Sequence, residues 1–251
     1  NLNDWIASQT EILYDPEQSF GAGTNTALTR NQLQVRQAYV LLGDLNKSPF
    51  YASLGKMAAP FGLTDTVNPF TANTVWHAFG GLANGMILAY LQHGLRLSFM
   101  GVEGGAQFRA SNTSVAGTAV PSRLNNYSAD ANYTHTLGAK SHLLVGGSYQ
   151  KGSAYCQNFP VVHFAACPEN NPAYDVYSQL GLNNLTLQAE FAQTEKPWPG
   201  TFNPAIAQFG ESHVTSFGVG GKYRTRFAKK PLDASAELSR FKAGPNGSPW
   251  E

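Results

Sequence analysis

From Tyr127 to Thr134 the chain reads Tyr-Ser-Ala-Asp-Ala-Asn-Tyr-Thr, and these eight residues decide the fold class. Tyr127, Ala129, Ala131 and Tyr133 alternate without a fault with Ser128, Asp130, Asn132 and Thr134. Successive side chains leave a strand on opposite sides, so a period of two describes a strand with one apolar and one polar face. A helical period of 3.6 does not fit the window.

The same rhythm recurs on either side. Leu185, Leu187, Ala189 and Phe191 oppose Thr186, Gln188 and Glu190, while Leu232, Ala234, Ala236 and Leu238 oppose Asp233, Ser235, Glu237 and Ser239. Over 214–227, Phe217, Val219, Tyr223 and Phe227 face away from Ser216, Lys222, Arg224 and Arg226, with Gly218, Gly220 and Gly221 permitting curvature. Shorter examples set Leu95, Leu97 and Phe99 against Arg96 and Ser98, and Leu143, Val145 and Tyr149 against His142, Ser148 and Gln150. Eleven strands are predicted, at 5–14, 33–43, 50–59, 85–92, 95–103, 126–136, 142–151, 173–182, 185–195, 213–227 and 232–242.

The links between them alternate in length. Asp44 to Pro49, His93-Gly94, Leu137 to Ser141, Asn183-Asn184 and Ala228 to Pro231 are short and carry Asn, Gly or Pro, which suit tight turns. The links near 15–32, 60–84, 104–125, 152–172 and 196–212 are long and polar or rich in Gly, Pro, Asn and Thr. Strands of this length, joined by turns on one side and long loops on the other, fit a transmembrane antiparallel up-and-down β-barrel. Tyr14, Tyr51, Tyr127, Tyr149, Tyr174, Tyr223 and Phe227 fall near strand ends, where aromatic girdles sit in such barrels.

Closed bacterial barrels normally have an even number of strands, because every chain end returns to the periplasm, and they close because an open edge would leave backbone donors unpaired in lipid. Eleven visible strands therefore lead us to expect a barrel of 12 or more, with residues 1–251 forming one barrel domain that is an incomplete portion of the whole.

Composition narrows the function. Seventeen Lys and Arg are nearly cancelled by sixteen Asp and Glu, for a net charge of +1, which argues against a nucleic-acid partner bound through phosphate neutralisation. The most apolar stretch, Met86 to Leu91, soon meets Gln92, His93 and Arg96, far short of the roughly 18–20 residues of a spanning helix. Asn1 to Trp5 lack the regions of a signal peptide, so the chain is expected to be either cytoplasmic or already processed. Cys156 and Cys167, eleven positions apart in a Pro-, Asn- and aromatic-rich segment, are expected to form a local disulfide. Free thiols are the second reading, and with His163 between the two a metal site is the third and weakest, since structural zinc motifs use spaced ligand pairs.

The hairpin Ala38-Tyr-Val-Leu-Leu-Gly-Asp-Leu-Asn-Lys-Ser-Pro-Phe-Tyr-Ala-Ser-Leu-Gly-Lys-Met-Ala-Ala-Pro-Phe-Gly62 adds a more specific signal. It resembles porins related to the phosphate-selective group, and most of all the legiobactin-type siderophore porin family, over about one tenth of the chain. In that family an Ala-Tyr strand precedes the turn, and a Gly-Lys or Gly-Arg step leads to Pro-Phe-Gly at the entry to an external loop. Here these are Ala38-Tyr39, Gly55-Lys56 and Pro60-Phe61-Gly62. The resemblance implies a Gram-negative outer-membrane porin, located in the cell outer membrane among its lipids, and siderophore uptake.

No catalytic constellation emerges, so an enzyme is not expected, nor is a cofactor or metal. Gly218-Val-Gly-Gly221 and Gly101-Val-Glu-Gly-Gly105 lack the spacing and following helix of a phosphate loop and read as strand glycines. The functional candidates are charges placed by the alternation on the inner, pore-lining face: Arg96, Asp130, Asp175, Glu190, Lys222, Arg224, Arg226, Asp233 and Glu237. A basic residue on the lipid face would cost about 2–4 kcal/mol at the bilayer midplane. Such charges either cross-link the barrel wall or select the solute. Lys222, Arg224 and Arg226 form a basic row that would favour anions, which Asp130, Glu190, Asp233 and Glu237 offset. Residues 60–84 are expected to cap the barrel, fold inward as a constriction, or touch a partner.

The leading expectation is thus a passive channel for small hydrophilic solutes, including a ferric siderophore. The rivals are a structural barrel that binds a partner protein or forms a homo-oligomer, and a β-sandwich whose apolar faces meet a protein core.

Overall fold

A computed structural model of the chain describes residues 3–15, 32–64, 66–68, 75, 79–103, 124–152, 171–197 and 213–242. Eleven strands occupy them: β1 (Ile6–Asp15), β2 (Gln32–Leu42), β3 (Phe50–Ala58), β4 (Leu82–Gln92), β5 (Leu95–Glu103), β6 (Leu124–Gly138), β7 (Ser141–Gln150), β8 (Ala173–Leu182), β9 (Leu185–Thr194), β10 (Thr215–Phe227) and β11 (Lys230–Lys242). Each pairs antiparallel with the next, in the order β1 through β11. Alternation and turn chemistry thus identify every strand. The main departures are β4, which begins at Leu82 rather than 85, and the last hairpin, whose turn shrinks to Ala228-Lys229. Both turn residues are left-handed, at φ 49° and 65°, as a two-residue connection that follows the twist of its strands demands. Pro231 then sits near the start of an edge strand, where a missing N–H is tolerated.

β1 is laddered to β2 and β11 to β10, and no ladder joins β1 to β11 among the described residues. The architecture is therefore an eleven-stranded up-and-down sheet, and the expected closure with a twelfth strand is not part of it. Among the described residues no helix is long and apolar enough to cross a membrane, which leaves crossing by strands untouched.

The two faces can be read along single cross-strand rows. On one, Tyr51, Ala89, Ser98, Asp130, Ser148, Asp175, Ala192, Ser216 and Phe241 stand in register from β3 to β11. One residue along, on the other face, stand Phe50, Tyr90, Leu97, Ala131, Gly147, Val176, Phe191, Phe217 and Arg240. Burial is inverted relative to a water-soluble sheet. Asp175 is 1% exposed beside Val176 at 55%, and Ser216 is 0% beside Phe217 at 39%. Soluble proteins rarely expose contiguous apolar patches on this scale.

The outer face also carries an aromatic band. Phe99, Tyr127 and Tyr149 follow one another at centroid distances of 5.6 and 6.2 Å, Tyr149 is in register with Tyr174, and Tyr174 approaches Phe191 at 6.4 Å. Tyr51 corrects the girdle reading: it lies in the inner row, and its hydroxyl accepts from Arg96 Nη2 at 3.4 Å. The side chain of Tyr14 lies outside the described residues.

The inner face is covered by the chain itself. After β3, residues 59–64 and 66–68 lie across it: Ser128 Oγ donates to Pro60 O (2.7 Å), Gly62 N to Ser148 Oγ (2.9 Å) and Leu63 N to Glu190 Oε1 (2.6 Å). Thr66 Oγ1 lies 3.5 Å from Glu237 Oε2. Five residues from Ala58 to Leu63 reach at most about 18 Å, and the glutamate arm adds roughly 5 Å. Six flat strand spacings from β3 to β9 would be about 29 Å, before any offset along the strands. The sheet is therefore rolled, with this segment as a chord on its concave side.

Candidate functional site

The chord rests on two surfaces of different chemistry. Near its root Met57, Ala59, Ala83, Met100 and Val102 are buried together, with Tyr39 and Ile87 packed against them. Met57, Ala83, Met100 and Val102 occupy inner positions of β3, β4 and β5, where a uniformly polar face is expected from alternation, because the segment packs there. Phe61 and Phe79, at 5.8 Å between centroids, join Leu63, Val67 and Val75 in being buried, so the infolded stretch contributes a small core of its own. Each such side chain removed from water stabilises by about 1.5–3 kcal/mol.

Further along, across β6 to β10, the surface is polar. Asp130 Oδ1 accepts from Ser148 Oγ (2.8 Å) and Tyr177 OH (2.6 Å), and Oδ2 from Asn132 Nδ2 (2.8 Å). Asp175 stands in register with Ser148 on one side and Ala192 on the other, and Glu190 lies two residues from Ala192 along β9. Three inner carboxyl groups therefore share a few strand positions beneath the chord. Asp130 is held by three donors and Glu190 by the Leu63 amide. Neither oxygen of Asp175 has a hydrogen-bond partner among the described residues, and the same holds for Gln150 Oε1, Gln188 Oε1 and Ser216 Oγ.

Of the nine charges predicted to line the interior, this cluster unites Asp130, Asp175 and Glu190. Glu237 joins the chord through Thr66, and Arg96 meets Tyr51. Lys222, Arg224 and Arg226 share the inner parity towards the short-turn end, where Arg224 Nε lies 3.3 Å from Asp233 Oδ2 with both side chains largely exposed. The basic row lies nearer the short turns than the acids: Lys222 is four residues along β10 from Gly218, the partner of Glu190, about 13 Å. Sequence reasoning placed Ser128, Ser216, Gln150 and Gln188 on the polar faces of their strands without giving them a role, and did not name Tyr177. Parity relative to Asp175 was the available signal for Tyr177. The expected pairing of Cys156 with Cys167 lies outside the described residues.

The hairpin motif acquires physical reasons. Gly62 has φ +72°, a left-handed value that glycine adopts freely, and a Cβ there would run into Glu190 Oε1. Gly55 has φ +132°, and its Cβ would meet Ala38 O and lie 2.8 Å from Tyr39 Cα. Lys56 Nζ donates to Val35 O at 3.1 Å, tying β3 to β2.

No family model matches the chain. It is 23% identical over 239 residues to a "UPF0422 protein" of Coxiella burnetii (strain RSA 493 / Nine Mile phase I), an alignment covering 91% of this chain and 46% of that protein. The chain thus spans about half the length of this relative, whose name carries no activity.

Proposed function

We propose that this chain forms the wall of an outer-membrane channel through which small hydrophilic solutes pass by diffusion, without a covalent step. The observation that carries this reading is the inverted burial of adjacent rows: serine and carboxyl side chains are enclosed, while Phe50, Leu97, Val176 and Phe217 are exposed. Lipid on the outside resolves that inversion, since hydrocarbon solvates the apolar row and a polar interior solvates the other. The aromatic band on the outer face and the alternation of short and long connections support the same orientation. The closed form requires β1 and β11 to be joined, directly or through further strand pairing, because an open edge is not tolerated in lipid. Ferric siderophores enter as the solute to which the hairpin's resemblance points.

Single-channel recording in planar bilayers, with liposome swelling by sugars and ferric siderophores, tests the proposal. Discrete conductance steps are expected. The infolded segment, which occupies part of the interior, favours as second reading a narrow barrel that serves as a scaffold for a partner protein. Persistent silence from a protein with heat-modifiable gel migration would select that reading, and a stable monomer purified without detergent would defeat the membrane assignment.

A further inference from the structure

We infer that the acidic level beneath the chord is a binding site for an organic cation that carries N–H donors, the ammonium or guanidinium group of a solute. The inference rests on the channel reading for access of solute to the inner face, and deepens it by naming a solute class.

Two independent observations meet here. The first is the convergence of Asp130, Asp175 and Glu190 on the concave side of β6, β8 and β9. The second is the set of unpartnered buried atoms on the same face, all of them oxygens: Asp175 Oδ1 and Oδ2, Ser216 Oγ, Gln188 Oε1 and Gln150 Oε1. Ser216 is fully buried and lies across Ala192 from Asp175, and Gln188 is the next inner residue along β9 from Glu190. Burying polar groups unpaired is costly, most of all a carboxylate without a counter-charge. An ionised carboxylate and an amide oxygen only accept, so what completes them must donate, while the Ser216 hydroxyl can do either. Water donates but does not neutralise, whereas an ammonium or guanidinium does both, through charge-assisted hydrogen bonds.

A metal ion is a poorer match, because among the described residues no three His, Cys, Asp or Glu side chains converge closely enough to hold one. The acceptors are spread more widely: Asp175 and Ser216 stand two strand spacings apart, about 10 Å. Gly218, in register with Glu190, is itself buried, and among the described residues a Cβ there would lie 3.9 Å from Ser239 Cβ. The basic row of Lys222, Arg224 and Arg226 begins one inner position beyond Gly220, the partner of Gln188, and runs from there towards the short turns.

Calorimetric titration of the full detergent-folded chain with three four-carbon probes at equal ionic strength, putrescine, 1,4-butanediol and succinate, tests the inference. Putrescine is expected to bind at least tenfold more tightly than butanediol, and succinate not measurably. Asp175→Asn should weaken putrescine at least tenfold. Ser216→Ala, which removes one acceptor without altering charge, should weaken it severalfold and serves where the first variant fails to fold. Equal affinity for the three probes, no binding of putrescine, or affinity unchanged in the variants would overturn the inference and leave water as the partner of these oxygens. Conductance separates this from the channel reading: channel steps without a preference for putrescine preserve the channel and reject the site, while putrescine binding without steps preserves the site in a closed barrel.

Discussion

Replacing Gly62 with alanine tests whether the chord is held as the contacts imply. The added methyl must adopt φ +72° and would overlap Glu190 Oε1, with Val75 Cγ1 at 3.4 Å on another side. A left-handed non-glycine residue costs about 1–2 kcal/mol. Displacing Glu190 also breaks the hydrogen bond from Leu63 N, and a bond to a charged group contributes about 1.5–3 kcal/mol. Together these destabilise the docked segment by about 2.5–5 kcal/mol, roughly two to four decades in its opening equilibrium. Hydrogen exchange read by mass spectrometry on the detergent-folded protein reports this directly, because the Gly62 and Leu63 amides are both donors to the sheet. Their protection should fall by that factor, while strand amides of β8 and β9 keep theirs. Gly138→Ala is the control, since nothing lies within 4 Å of its added Cβ. Undiminished protection of both amides in Gly62→Ala would refute the assignment of Glu190 as anchor.

Three further outcomes are expected. Val176→Arg, at an exposed site of the apolar row, should lower the stability of the bilayer-folded protein by about 2–4 kcal/mol if lipid surrounds it, and by no more than about 0.5 kcal/mol if water does, as read by urea titration in vesicles. Tyr177→Phe removes the 2.6 Å donor to Asp130 and should cost about 1.5–3 kcal/mol in the same titration; a loss under about 0.5 kcal/mol would mean that Ser148 and Asn132 suffice. In the turn between β2 and β3, the ammonium of Lys47 at 3.0 Å and the Asn46 amide hold the Asp44 carboxyl below its ordinary value of 3.8. A lowered folded-state value stabilises above the unfolded one and is lost on acidification, so this contribution is full above about pH 5 and fades below about pH 4. Asp44→Asn should flatten the fall of Tm in that window, and an unchanged acid limb would show the contact to be inert.

Most of the fold was legible because its signal is local. A strand with unlike faces writes its pairing into every second residue, and turns such as His93-Gly94 and Asn183-Asn184 announce themselves by composition. The site was only half legible. Alternation placed Asp130, Asp175 and Glu190 on one face, but which carboxyl groups become neighbours depends on register across β6 to β9, a nonlocal property. The apolar inner residues Met57, Met100 and Val102 interrupt the polar face, and make sense only once the chord covers them. For the same reason the stretch after Ala58 could be read as a cap, a constriction or a docking loop: its destination is set by partners such as Ser148 and Glu190, 86 and 127 residues away.

The chord and the curvature of the sheet are mutually dependent, which ties the candidate site to the fold. A flat sheet would put Glu190 beyond the reach of Leu63, so the hydrogen bonds to Ser128, Ser148 and Glu190 exist only when β6 to β9 roll toward β3. Conversely, once formed, they resist unrolling, because flattening would break three hydrogen bonds and expose Phe61, Leu63, Val67 and Phe79 together. Gly220 belongs to the same device: a Cβ there would press on Val67 Cγ2, so this inner position of β10 is kept bare where the chord passes. Gly220→Leu should therefore act at a distance, loosening the Gly62 and Leu63 amides, which hydrogen-bond to β7 and β9 rather than to β10. If their exchange stayed at the parent rate while Val67 was displaced, the anchors would be independent, and the chord would follow the curvature without helping to maintain it.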